Sequence, residues 1–340
     1  MKKVLNHRTN SKNLILAAAA FFAAAMVVFP SVTESGSKSA IIIWANAIVP
    51  VLLPFFIFAD FIKRTGNLQR LPVQLYPLLI AVLSGYPMGA KIVGDLVGDG
   101  TLSRARGREV LSYSLVTGPA FLMGTIGAFL GSTRAALIIM LAHYLGALLN
   151  GCFFHGSKRD MKLRARGGTW RRGAEEMPLA AGSFADSAAQ FPAGVAVSAA
   201  NPSRHSAASP VLENFTIAIT SGFKAMAVIL AYLMIFMIGI DLAEAAGIWT
   251  HLGSELTVSF LKGILEMTVG ANMISLCNAS LAFKTVLIAT IVSFGGLSVI
   301  GQSVSMAAGS GIRLADILQI KFMHGIFSGI LAMLLTRVML

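Results

Sequence analysis

Long apolar runs constrain this chain more than any other feature of its sequence. Several contain about twenty residues with few charges, the length needed to cross the hydrocarbon core of a bilayer. Of the 340 residues, 56% are hydrophobic and only 12% are charged, whereas soluble domains carry about 25% charged residues. One soluble core does not bury so much apolar surface. The sequence therefore predicts an all-α polytopic membrane protein.

Nine apolar segments follow one another, and we expect about seven of them to be full transmembrane helices. These seven are residues 14–30, 40–62, 110–130, 135–154, 215–246, 285–307 and 314–335. The other two segments, residues 76–97 and 256–277, are interrupted near their centres by glycine, proline or polar residues.

The first segment follows a basic start, "MKKVLNHR". A cleaved signal peptide is one interpretation, but a retained helix is favoured because the run is long enough to span. The following "SGSKSA" is also a poor match to a small-x-small cleavage site. Residues 1–39 are thus predicted to form a transmembrane helix and an external loop.

The net charge of +12 lies mainly in short loops beside apolar runs. Because cytoplasmic loops of membrane proteins are rich in Lys and Arg, this placement indicates topology and not nucleic-acid binding. Residues 156–210 are first strongly basic and then rich in Ala, Ser, Gly and Pro. They are predicted to be a flexible cytoplasmic linker, a solvated loop being favoured over an amphipathic helix.

The stretch "SGYPMGAK", residues 84–91, places helix-breaking residues inside an apolar segment. A kink with tight helix packing would explain them, but the charges favour another interpretation. If residues 76–97 crossed the membrane, Arg104, Arg106 and Arg108 would lie outside, against the positive-inside rule. A re-entrant hairpin keeps these arginines in the cytoplasm.

The two halves of the chain repeat one another. "GAK" at residues 89–91 matches "GAN" at residues 270–272, and His143 matches His324, both at an offset of 181 residues. Each half, residues 40–155 and residues 211–340, is predicted to contain a span, a broken segment and two further spans. If both broken segments are re-entrant, each half crosses the membrane three times. Because three is odd, the two halves then have opposite orientations in the membrane. Paired broken helices in inverted repeats are typical of secondary transporters.

Non-helical backbone is tolerated in a membrane only where protein or a wet cavity satisfies it. We therefore expect the hairpin tips and the interrupted spans after them to form a substrate site. The candidate substrate-binding residues are Ser84, Gly85, Tyr86, Pro87, Gly89, Lys91, Thr117, Gly118, Glu266, Thr268, Gly270, Asn272, Ser293, Gly296 and Gln302.

Glu266 is expected to have a role, because an acidic residue in an apolar segment is costly. Two roles stay open. In the first, Glu266 binds a coupling proton, a sodium ion or a donor group of the solute, and in the second it forms a salt bridge with Lys262 one turn away. Lys91 and Lys224 are candidate counter-charges for an anion. His143 and His324 are expected to form interhelical hydrogen bonds. No catalytic, metal-binding or cofactor motif is found, so we expect a protein that is not an enzyme and binds no metal or cofactor.

The stretch "SGYPMGAK" occurs together with six others, in the order "IVPVLLPFFIFADFI", "SGYPMGAK", "REVLSYSLVTGPAFLMGTIG", "AHYLGALLNG", "LEMTVGA", "FGGLSVIGQ" and "HGIFSGILA". With these stretches the chain resembles the YlbJ-type sporulation integral membrane proteins, which carry the nucleoside-recognition (Gate) domain and are distantly similar to concentrative nucleoside transporters. The resemblance covers residues 40–155 and 211–335.

The resemblance implies a bacterial membrane transporter that works between mother cell and forespore, with dipicolinate as the favoured small anionic cargo. A nucleoside transporter and a non-transporting scaffold of spore assembly are the alternatives. The expected partners are a small solute and the lipid bilayer. Coupling to a proton, coupling to sodium, facilitated diffusion and homo-oligomerisation all stay open.

Overall fold

The computed structural model describes residues 2–65, 71–155 and 210–340. Of these, the side chains of residues 2–12, 63, 87 and 210 are outside the description. The predicted linker, residues 156–210, therefore lies almost entirely outside the described residues, and the basic start of the chain lies outside the described side chains.

Throughout the described ranges, the regular secondary structure is helical. The α-helices are α1 (Lys2–Val28), α2 (Pro30–Ile43), α3 (Val49–Thr65), α4 (Leu75–Ser84), α5 (Tyr86–Gly98), α6 (Arg104–Ser114), α7 (Gly127–Leu130), α8 (Thr133–Phe154), α9 (Pro210–Ala245), α10 (Glu255–Leu265), α11 (Met267–Leu276), α12 (Leu281–Phe294), α13 (Gly296–Met306) and α14 (Leu314–Met339). Short π-helical turns occupy Trp44–Ile48 and Phe121–Ile126, and a 3₁₀ turn occupies Ile248–His251.

Five helical segments are long and apolar enough to cross a membrane, as expected for a polytopic membrane protein. They are Pro30–Ile62, Thr133–Phe154, Val211–Ala245, Leu281–Met306 and Leu314–Met339. Two predicted spans are not among them. The first corresponds to the shorter apolar helix Asn13–Val28. Residues 110–130 are divided by an unwound stretch after α6. A total of seven full spans thus stays a prediction.

The predicted loop at residues 31–39 is wrong, because these residues belong to helix α2. Only Phe29 departs from helical geometry, with φ −117° and ψ 65°, and Pro30 then starts α2, a position that suits its fixed φ and missing N–H. Ser37 donates its hydroxyl hydrogen back to a carbonyl of the same helix. Gly36 lies against Ile238 of α9, so tertiary packing stabilises a segment whose composition favoured a loop.

Helices α4 and α5 fold back on each other at Gly85, whose φ of 87° suits glycine alone. A Cβ on Gly89 would lie 3.1 Å from the Cβ of Ala81. In a continuous helix, residues eight apart are separated by about 12 Å along the axis. Residues 75–98 therefore form a helical hairpin, which we name hairpin 1.

Helices α10 and α11 make a second hairpin, hairpin 2, which turns at Glu266 in extended geometry. Its two backbones touch, since a Cβ on Gly270 would lie 2.1 Å from the Cα of Gly263. The Ser259 hydroxyl and the Cys277 sulfur are 3.5 Å apart across the two arms. The two interrupted segments of the sequence are thus both folded back on themselves.

The hairpins approach from opposite ends of the long helix α14, which is about 39 Å long at 1.5 Å per residue. Near its start, Asp316 accepts a 2.7 Å bond from Arg104, which follows hairpin 1. Near its end, Met339 shares an apolar cluster with Leu256, at the open end of hairpin 2. The two hairpins thus contact opposite ends of α14.

Replacing Gly270 by alanine is predicted to destabilise the protein, because the added methyl group overlaps Gly263 and overpacking costs about 1–3 kcal/mol. The midpoint of thermal unfolding in detergent measures the effect. Gly98→Ala is the matched control, since no atom lies within 4 Å of its new methyl group. Equal midpoints for the two variants would contradict the close packing in hairpin 2.

Single cysteines are predicted to reveal the two ends of the molecule. In protein whose native cysteines are replaced by alanine, Thr101→Cys and Ala308→Cys should react with an impermeant maleimide from one side of sealed vesicles. Thr133→Cys and Leu252→Cys should react from the other side. The four native residues are exposed. Labelling of all four from one side would refute the opposed hairpins.

Candidate functional site

A cavity lies where the tips of the two hairpins meet. Gly85 and Tyr86 of hairpin 1 line it, together with Glu266, Met267 and Thr268 of hairpin 2. The cavity volume is about 50 Å³, enough to hold water. The other lining residues are Ile48, Leu52, Thr117, Phe121, Ile229, Leu233, Ser298, Val299 and Gln302.

Six of the predicted site residues line this cavity. They are Gly85, Tyr86, Thr117, Glu266, Thr268 and Gln302. The apolar wall from α3, α9 and the turns before α3 and α7 was not predicted, because apolar residues in apolar helices carry no distinguishing signal in the sequence. Substrate binding by any of these residues stays a prediction.

Three other predicted residues lie just behind the cavity wall. Gly118 packs against hairpin 1, where the Cβ of an alanine would lie 3.4 Å from the Val82 oxygen. Gly296 packs against hairpin 2, where a Cβ would lie 3.0 Å from the Met267 nitrogen. Ser293 is fully buried. The interrupted spans thus contact the hairpin tips, as the sequence predicts.

The remaining predicted residues do not line the cavity. The Ser84 hydroxyl bonds to the Ile80 carbonyl at 2.6 Å, and Lys91 pairs with Asp95 at 3.3 Å. Asn272 is exposed, as is Lys224. Gly89 and Gly270 serve close packing inside their hairpins, and the side chain of Pro87 lies outside the described residues.

Three helices begin at the cavity, so the positive ends of their dipoles point toward it. Helices α5 and α13 begin after Gly85 and Gly295, and neither has a side-chain cap. Helix α11 is capped by Glu266, whose Oε2 accepts a 2.8 Å bond from the Val269 amide. Convergent helix N-termini favour a negatively charged ligand.

Glu266 is 3% exposed and forms no ion pair with any described residue. The alternative of a pair with Lys262 is wrong, because the Lys262 ammonium instead lies 2.5 Å from the Glu244 carboxylate. Glu266 therefore presents a carboxyl group to the cavity with one oxygen held by the backbone of its own hairpin.

Two buried histidines connect the halves, which confirms their predicted interhelical hydrogen bonding. The Thr117 amide donates to His143 Nε2 at 3.0 Å. His143 Nδ1 therefore carries the hydrogen in the neutral ring and donates it to the Ser293 hydroxyl at 2.8 Å. His324 Nε2 donates to the His143 carbonyl at 2.9 Å.

Lys321, which was not among the predicted site residues, lies beside these histidines and is 1% exposed. Its ammonium donates to the Leu115 carbonyl at 3.0 Å and lies 3.4 Å from His324 Nδ1. It is also 4.0 Å from the centre of the Tyr86 ring. The sequence could have indicated Lys321 as a site residue, because it is a lysine inside an apolar span, three residues before His324.

Comparison with known proteins gives one informative similarity. The chain is 23% identical to the sporulation integral membrane protein YlbJ of Bacillus subtilis (strain 168) over 348 residues, covering 93% of this chain and 81% of that protein. No family model matches the chain, and no solved structure matches it significantly. The Gate domain thus stays a prediction, whereas the resemblance to YlbJ is confirmed. With its five apolar helices of spanning length, this similarity identifies the chain as a multi-pass membrane protein related to a sporulation protein.

Proposed function

We propose that this protein is a secondary transporter that moves a small anionic or polar metabolite, with dipicolinate favoured, during spore formation. The observation that carries the proposal is the meeting of two opposed hairpins at one polar-edged cavity. Broken helices that meet near the midplane are the typical binding-site architecture of secondary transporters. The similarity to a sporulation membrane protein supports the cellular setting.

An inverted repeat would account for the order of the helices. In the first half a long helix, α3, precedes hairpin 1, a broken helix and the long helix α8. In the second half α9 precedes hairpin 2, the broken pair α12–α13 and α14. The turns at Gly85 and Glu266 are separated by the same 181 residues as His143 and His324. Two such halves provide the two equivalent arrangements that alternating access requires.

The chemistry of the cavity suits a planar organic anion. The uncapped N-termini of α5 and α13 offer partial positive charge. The apolar wall, which includes Phe121 and Leu233, suits the body of an aromatic ring. In this proposal Glu266 binds the coupling ion, a proton or sodium.

The cavity is too small for this substrate in this conformation. A volume of about 50 Å³ admits water but not a molecule as large as dipicolinate. Transport therefore requires the hairpins to move apart on one side at a time, as in other gated sites. Gly85, at a positive φ, is a suitable hinge for hairpin 1.

Reconstituted protein is predicted to take up labelled dipicolinate into liposomes. Gly85→Val should reduce the flux because a β-branched residue does not adopt a φ of 87° without strain. Glu266→Gln should reduce it because the ionisable carboxyl group is lost. We expect a fall of about tenfold or more for each variant, equivalent to about 1.4 kcal/mol.

Glu255→Gln is the matched control, since Glu255 is an exposed glutamate on the same hairpin. It should keep the flux of the unaltered protein. Uptake of labelled uridine without uptake of labelled dipicolinate would favour the nucleoside alternative. Unaltered flux in both site variants would reject the site, and absence of flux for every solute would favour a scaffold.

A further inference from the structure

Lys321 is a buried lysine without a carboxylate partner among the described residues. Lys262, by contrast, is 7% exposed and pairs with Glu244. Lys321 is instead surrounded by a backbone carbonyl, a histidine ring and a tyrosine ring. An ionisable residue inside a membrane segment is costly to keep and is a functional candidate by default.

Tyr86 contacts both this ammonium group and the cavity. Tyr86 lines the cavity, and its ring centre lies 4.0 Å from Lys321 Nζ. The Tyr86 hydroxyl donates to the Val292 carbonyl, which holds the ring in this position. A rotation of the Tyr86 ring would break this bond and remove the ring from its position over Nζ.

We propose that Lys321 binds a carboxylate of an organic anion in this cavity once the Tyr86 ring has turned aside. The inference rests on the proposed transport function and assigns the group that recognises the negative charge. The carboxylate takes the place of the ring in front of Nζ, so an ion pair replaces a cation–π contact. The bonds from Nζ to the Leu115 carbonyl and His324 stay in place.

The surroundings of Lys321 define the class of ligand. Tyr86 is the first residue of α5, whose uncapped N-terminus adds positive potential beside the ammonium group. Glu266 lines the same cavity from the other hairpin. The apolar wall lies along the cavity. A flat organic acid fits this arrangement, with its carboxylate toward Lys321 and a hydrogen-bond donor or coupling cation toward Glu266.

His324 and His143 are positioning residues for this lysine. His324 directs Nδ1 toward Nζ because its Nε2–H is held by the His143 carbonyl. His143 is itself held by the Thr117 amide and the Ser293 hydroxyl. The ammonium group is thus fixed by groups from both halves of the chain.

Equilibrium binding of two ligands of the same shape tests the proposal. Labelled dipicolinate carries two carboxylates, and pyridine-2,6-dicarboxamide replaces them with neutral amides. In purified protein in nanodiscs, Lys321→Met should weaken dipicolinate binding by about 30-fold or more, as for loss of one partner of a buried charge pair. Binding of the diamide should change less than about threefold, the size of an ordinary side-chain effect.

Lys262→Met is the matched control, because it removes a buried lysine that does not line the cavity. It should leave both affinities unchanged. Equal weakening of both ligands by Lys321→Met would show a structural role and overturn the assignment. Undiminished dipicolinate binding would overturn it while leaving the transport proposal intact. If the unaltered protein binds no dipicolinate, both are rejected.

A second variant keeps the test decisive if Lys321→Met does not fold. Tyr86→Leu removes the ring that competes for the ammonium group. It should strengthen dipicolinate binding about fivefold, the equivalent of one cation–π contact of about 1 kcal/mol. Because Tyr86 also lines the cavity, the deciding quantity is the ratio of dipicolinate affinity to diamide affinity, which should rise about fivefold. A fall in this ratio would contradict the exchange of the ring for a carboxylate.

Discussion

Backbone groups that leave a helix inside a membrane must be satisfied by the protein itself, and the centre of this fold depends on that constraint. The carbonyl of Leu115, at the end of α6, receives the Lys321 ammonium. The amide of Thr117 donates to His143, and that of Val269 donates to Glu266. The charged and polar side chains buried at the centre thus bind the backbone where helices are interrupted.

These bonds also explain why neither half of the chain is complete without the other. Lys321, from the second half, satisfies a carbonyl of the first. His143, from the first half, bonds to Ser293 of the second. Because the partners cross between the halves, a movement of one half against the other would break or exchange such bonds. A fully bonded centre therefore favours a few discrete conformations over continuous sliding.

The sequence predicts the positions of the breaks better than their surroundings. Glycine and proline in an apolar segment identify the turn at Gly85, because local backbone chemistry determines it. The break in residues 256–277 was also predicted, but its turn was not assigned to Glu266. The helical state of residues 31–39 was missed because it depends on packing against α9. Lys321 was missed because its partners, Leu115 and Tyr86, are 206 and 235 residues away along the chain. The apolar cavity wall has no periodic signal that separates it from lipid-facing residues.

The central claim is that both hairpin tips face one cavity that opens alternately to the two sides. A single cysteine at Thr268, in protein without native cysteines, tests it most directly. Alternating access predicts that impermeant reagents modify this cysteine from either side of sealed vesicles. It also predicts that dipicolinate protects the cysteine against reagent added on either side. Modification from one side only, or equal rates with and without dipicolinate, would contradict the account.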